Sequence, residues 1–392
     1  MSGKTAQIAL EFAVREKILG APSTLSLEPN KPRPAALFYD LDEFEANLQR
    51  AKDAFGNGFL HAMAVKANPV HEMIKIANQK GFGTECASIG EIFNSLEAGI
   101  PPENIVYDSP VKTCPELEFA LKKGLHINAD NLQELEVISD LMTEISDFKG
   151  IVGLRINPVM TAGDVRALRY SVGITESTRE EVIGWFVARP WLTCVHVHIG
   201  SQSYGVEGLS HGAKSAVDFA LEINKRIGHN QVDVIDIGGG MGVNREDDSI
   251  SPTFDDYANS LQRIVPEIFP DKGIFKKVIT EFGQALNAKA GWIASRVEYT
   301  KKIPDSDHTI ALIHVGADMC MRTCYVPNVS KYKRRVEVFD SSGIKKSGEK
   351  ALHNIAGPLC FAGDIVSKEV MLPQEAETVE QLLTFWGGKK QQ

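Results

Sequence analysis

Between about residue 55 and residue 284 the chain repeats one unit, and that repetition limits the fold more than any other feature. A short apolar or β-branched run ends in a polar or glycine-bearing turn, and an amphipathic stretch follows. The runs are FLHAMAVKAN, GFGTECAS, NIVYDSP, LHINAD, IVGLRINP, TCVHVHIGS, VDVIDIGGG and KKVITEFG. Segments such as VHEMIKIANQK, IGEIFNSLEAG and NLQELEVISDLM carry helical spacing between them. Eight βα units are the number that closes a (β/α)8 barrel of ~250 residues, a TIM barrel. A doubly wound open sheet is the alternative that periodicity leaves standing.

The chain has 392 residues, more than one small core needs, so a second module is expected beside the barrel. After about residue 285, AGWIASRVEYTKKI, HTIALIHVG and RRVEVFDSS alternate as half-buried antiparallel strands do. The short run PAALFYD is expected to join them. The division expected is a barrel over 38–286, with 1–37 and 287–392 forming an N-terminal segment and a mainly antiparallel β-barrel domain. A net charge of -9 gives no electrostatic reason for nucleic-acid or anionic-membrane binding. No apolar stretch approaches the ~20 residues that span a bilayer. The N-terminus lacks the apolar core of a secretory signal, although an amphipathic targeting helix is conceivable. Six cysteines without a CxxC pair read as reduced thiols of a cytoplasmic protein.

In a (β/α)8 barrel, chemistry gathers at the C-terminal ends of the strands. Here those ends carry Lys66, Glu85 and Cys86, Arg155 and Asn157, His196, His198 and Ser201, Gly238, Gly239 and Gly240, and Glu281. Each alone has a bland reading. A lysine can snorkel from a strand end, a triple glycine can be a tight turn, and a carboxylate can be half of an ion pair. The two histidines of HVHIGS are expected on opposite sides of their strand, His196 structural and His198 at the mouth. Zinc would need a third ligand that the sequence does not display, so no metal is expected. The glycines of DIGGGMG follow a strand, and their amides suit a phosphate. A lysine, a phosphate cradle, a flat imidazole and a carboxylate are together the parts of a pyridoxal-phosphate site.

At this point the sequence resembles the fold-type III pyridoxal-phosphate decarboxylases, which include diaminopimelate and ornithine decarboxylases, over roughly residues 35 to 373. AVKAN is similar to that family's lysine motif, which implies that Lys66 holds pyridoxal 5'-phosphate as a Schiff base. HVHIGS resembles the stretch whose second histidine, His198, stacks on the ring and whose serine, Ser201, reaches the phosphate. DIGGG resembles the phosphate loop, and EFGQ stands where the family has Glu-Pro-Gly-Arg, which makes Glu281 the partner of the ring nitrogen and Gln284 a phosphate neighbour. Glu85 and Arg155 are expected in a polar layer beneath the ring, or as a structural ion pair. GPLCFAGD resembles the motif whose cysteine, Cys360, acts as proton donor across a homodimer with composite sites. The family's fold is an alanine-racemase-like barrel with a β domain.

Three departures shape the functional expectation. Gln284 and Phe282 replace an arginine and a proline, Phe361 replaces the acid that reads a distal ammonium, and no tyrosine lies beyond Tyr332. Arg322 and Tyr325 are candidates for touching the substrate carboxylate. The leading reading is decarboxylation of an L-amino acid with altered distal specificity. The alternatives are a decarboxylase-like regulatory or binding protein with weak turnover, and an amino-acid racemase using Tyr325.

Overall fold

The eight runs become eight parallel strands that close on themselves. The strands are Phe59–Ala64, Gly83–Cys86, Ile105–Tyr107, His126–Ala129, Ile151–Ile156, Leu192–Val197, Val234–Asp236 and Lys277–Thr280. Thr280 pairs with His61, so the last strand hydrogen-bonds to the first and the doubly wound alternative is excluded. The structure is a computed structural model that describes residues 3–20, 28, 32–145, 147–158, 160–162, 165–167, 172–175, 178–200, 204–244, 247, 249–306, 308–320, 335–374 and 382–386. Four of the eight barrel strands are buried along their whole length and the others along most of it, because helices cover one face and the barrel interior the other. That double burial explains why the runs are continuously apolar rather than alternating.

The helices begin where the loops supply caps. Asn131 accepts the Glu134 N–H at the start of Leu132–Met142. At Phe254–Ile264, Thr253 Oγ1 accepts the Asp256 N–H at 3.0 Å while Asp256 Oδ2 accepts the Thr253 N–H at 2.8 Å, a reciprocal capping box. Each cap fixes the loop that connects a strand end to its helix, and the site is built from such loops.

The chain divides into two compact units, one of Glu45–Val243 with Ile250–Leu286 and one of Met1–Phe44, Asn244–Ser249 and Asn287–Gln392. The second unit is a seven-stranded, mostly antiparallel sheet. Its order is Val336–Phe339, Leu382–Trp386, Gly291–Lys302, Thr309–Ile313, Lys350–Ala356, Ile365–Pro373. Ala35–Tyr39 pairs antiparallel with Gly291–Lys302, as PAALFYD leads one to expect. Within this sheet, among the described strands, only the Thr309–Ile313 and Lys350–Ala356 pair runs parallel. The helix Gly3–Arg15 packs Ala6, Leu10 and Ala13 against Trp292 and Phe339, so it is part of this core. Among the described residues no helix is long and apolar enough to cross a membrane.

Candidate active site

The lysine that ends the first barrel run sits on a turn built to present it. Strand Phe59–Ala64 gives way to a 3-10 turn over Val65–Ala67, closed by the Asn68 amide on the Val65 carbonyl at 2.9 Å. Val65 and Ala67 are buried and Lys66 is half-buried, so the turn aims only the ammonium outward. Beside it, the Phe282 carbonyl accepts the Ala64 N–H at 2.9 Å, which ties the last strand end to this turn. Lys66 Nζ donates to Glu85 Oε2 from the adjacent strand. Glu85 is completely buried, and its Oε1 has no hydrogen-bond partner among the described residues.

Glu85 pairs with Lys66 and not with Arg155, so of the two readings the sequence left open the structural Glu85–Arg155 ion pair is not formed. Arg155 Nη1 instead reaches Asp108 Oδ2 at 3.3 Å, just past the third strand. Asp108 Oδ1 in turn lies 3.4 Å from His196 Nδ1, and His196 Nε2 lies 3.7 Å from Glu281 Oε2. His198 Nδ1 is 3.3 Å from the same Glu281 oxygen. A correction follows. His196 and His198 are two residues apart, and the side-chain period of a strand puts such residues on one side, so both meet Glu281. His196, His198 and Glu281 gather two ring nitrogens and a carboxylate oxygen within 4.8 Å of one another.

The turn Gly238–Gly240 is wedged between two strand ends. A Cβ on Gly239 would run into the Glu281 carbonyl, and one on Gly240 into the Gly200 carbonyl. Gly238 and Gly240 also have φ of +66° and +100°, where side chains are strained. Close packing and a phosphate cradle therefore coexist in this segment. The amides of Gly240 through Val243 donate to no backbone carbonyl among the described residues. Gly239 N–H approaches His198 Nδ1 at 3.2 Å. That nitrogen can accept from Gly239 or donate to Glu281, but one tautomer cannot do both.

Burial and charge act against each other here. Desolvation pulls the Lys66 ammonium down, but Glu85, Glu281 and Asp108 together hold it above its ordinary range. Desolvation pushes the Glu85 carboxyl up, with Glu281 and Asp108 adding to it against Lys66. Burial keeps His198 below the usual imidazole range. Asp236, fully buried, accepts from Asn128 Nδ2 and the Gly238 N–H, both at 3.0 Å, and burial raises it well above an ordinary carboxyl.

Asp108 and Asp236 were not singled out from the sequence, although each stands at a strand end as Glu85 does. Nor was Lys112, whose buried ammonium donates to the Ser109 and Asn128 carbonyls and to Glu134, pinning the loop that carries Asp108. Asn157 donates its N–H to Ile174 and lines a cavity with Arg179 and Ser215. Gln284 opens the short helix Gln284–Asn287. Ser201, Arg322 and Tyr325 lie outside the described residues.

In the other unit, GPLCFAGD forms a loop organised by one carboxylate. Asp364 accepts the Ala317 N–H at 2.6 Å and the Leu359 N–H at 2.7 Å. The loop leaves Leu359, Cys360 and Phe361 exposed at its tip.

The family model for the pyridoxal binding domain of pyridoxal-dependent decarboxylases matches residues 41–288. The diaminopimelate decarboxylase of Helicobacter pylori is 28% identical over 354 residues, covering 86% of this chain and 80% of that protein. The L-glutamyl-[BtrI acyl-carrier protein] decarboxylase of Niallia circulans is also 28% identical, covering 86% and 79%. The crystal structure of the H. pylori enzyme complexed with L-lysine superposes with a TM-score of 0.78 at 25% identity, over 91% of this chain and 87% of that one. With a charged barrel mouth of this make-up and a family match across the whole barrel, the chain belongs to the fold-type III pyridoxal-phosphate-dependent amino-acid decarboxylases.

Proposed function

We propose that Lys66 is the attachment point of pyridoxal phosphate, that Glu281 faces the ring nitrogen, that His198 lies against the ring and that Gly238–Gly240 receives the phosphate. The observation that carries this reading is Glu281 Oε1, a buried carboxylate oxygen without a hydrogen-bond partner among the described residues. A protonated ring nitrogen is the donor such an atom lacks. The unengaged amides from Gly240 to Val243 support the phosphate assignment. When bound, the cofactor supplies an electron sink for the pair left behind by departing carbon dioxide.

The remaining steps belong to the chain's own residues. Lys66 must lose a proton before its nitrogen can attack an aldehyde, and Glu85 Oε2, hydrogen-bonded to Nζ, is placed to take it. Arg155 and Asp108 hold the floor of the site together. Cys360, exposed on its loop, returns a proton to the reacting carbon from a second copy of the chain, in a homodimer with composite sites. Phe361 beside it is 41% exposed and offers no charge, so the substrate is an L-amino acid whose distal end carries no ammonium. A relative named for a glutamyl carrier-protein substrate, rather than a diamino acid, supports that choice. Free thiols on Cys86, Cys114, Cys194 and Cys360 suit a cytoplasmic protein.

The test is carbon dioxide release from a panel of amino acids by purified protein with added pyridoxal phosphate. Release from a substrate with an apolar or acidic end is expected, with a loss of at least ~10³-fold in Lys66→Ala. Preference for lysine, ornithine or diaminopimelate would overturn the distal assignment. Full activity in Lys66→Ala would overturn the lysine assignment.

A further inference from the structure

We propose that His196 is a positioning residue: its doubly protonated ring, held between Asp108 and Glu281, keeps Glu281 anionic for the cofactor's ring nitrogen. The inference rests on the reading of Glu281 given above and assigns a task to a histidine taken from the sequence as merely structural.

The geometry argues it directly. His196 is 0% exposed, with Nδ1 3.4 Å from one carboxylate oxygen and Nε2 3.7 Å from another. A neutral imidazole offers one N–H and one lone pair, whereas ionised carboxylates only accept. Two carboxylates facing the two nitrogens therefore favour a proton on each. Neither nitrogen has a hydrogen-bond partner among the described residues, so the interaction is chiefly that of charges at close range in a dry site.

The charges facing the ring are named readily. Asp108 stands on one side with Arg155 behind it, Glu281 on the other, and the buried Asp236 contributes from the neighbouring strand. Desolvation opposes the imidazolium, yet Asp108, Asp236 and Glu281 raise it to about 9. Reciprocally, burial would push Glu281 up, and the His196 charge is the first influence that brings it down, well below an ordinary carboxyl. His198 also touches Glu281, but burial lowers its own proton affinity, which leaves His196 as the fixed cation. Without that cation Glu281 takes up a proton more readily, and a neutral carboxyl no longer offers the negative charge that stabilises a protonated ring nitrogen.

A double-mutant cycle on the full-length protein tests this, with His196→Gln and Glu281→Gln read by cofactor titration of the apoprotein and by the pH dependence of the bound cofactor's visible band. His196→Gln is expected to weaken cofactor binding by about tenfold with Glu281 present, and by less than about twofold when Glu281 is already Gln. The band's pH dependence should shift in the first background only. Equal losses in both backgrounds would make His196 merely structural, and no loss in either would remove the proposal as well. Should His196→Gln fail to fold, Asp108→Asn carries the same expectation, since an effect running through Arg155 would persist in Glu281→Gln. An unaltered Glu281→Gln protein would overturn the reading of Glu281 itself, and a persistent His196 effect beside an altered Glu281→Gln would overturn this inference alone.

Discussion

His61 lies against the last barrel strand, and its surroundings set how the protein meets acid. Its Nδ1 is 2.7 Å from Thr280 Oγ1, and the rings of Phe55, Phe59, Phe82 and Phe282 surround it. Burial, helped by Lys52, lowers it to about 4, and burial lowers His126 to about 3. Between pH 6.5 and 4 the unfolded chain binds the His61 proton and the folded chain does not, so stability falls as pH falls across that window. His61→Phe should reduce that fall by about 3 kcal/mol, measured by urea unfolding at stepped pH. An unchanged slope would contradict the assignment. His196 has the opposite sign: raised to about 9, it contributes stability below pH 6.5 that is lost as pH rises through 9. These residues also mark what the sequence could show. HVHIGS displays two histidines, but their common target, Glu281, lies more than eighty residues away and becomes visible only when the barrel closes. Asp108 in DSP and Asp236 in DIGGG do not stand out in the sequence, because their partners come from other strands. Phe282 looked like a loss of the family's proline, yet it completes the aromatic group with Phe55, Phe254 and Tyr257.

At the scale of elements, the strand–turn pieces do two tasks with the same atoms. The Gly238–Gly240 turn packs against the ends of two neighbouring strands and leaves its following amides unengaged. Gly239→Ala should therefore destabilise the protein by about 1–3 kcal/mol, because the Glu281 carbonyl cannot move without its strand. Cofactor affinity should fall with it. Denaturant unfolding together with cofactor titration checks this, and a variant of wild-type stability would show that the turn has room. All eight barrel strands were legible, since each is a local apolar run bounded by turn residues. The strand Leu382–Trp386 was not. It lies between Gly291–Lys302 and Val336–Phe339, with paired residues 43 to 94 positions back, and such non-local pairing leaves no local pattern to read.

On the scale of the molecule, the barrel unit supplies the charged mouth and the sheet unit presents Cys360 on the Asp364-pinned loop. If the site is completed by a second copy, mixing inactive Lys66→Ala and Cys360→Ala proteins should restore about a quarter of the wild-type rate, because half of the dimers are mixed and each regains one site. No recovery after verified subunit exchange would contradict the composite site, and a fully active Cys360→Ala protein would place Cys360 outside the chemistry. The central claim is more direct than any of these, since it concerns one nitrogen. Borohydride reduction of the cofactor-loaded protein, followed by peptide mass mapping, fixes the cofactor where it is attached. The account predicts a pyridoxyl adduct on the peptide carrying Lys66 and none on the peptides of Lys112 or Lys277. An adduct on another lysine, or none on a loaded protein, would contradict it.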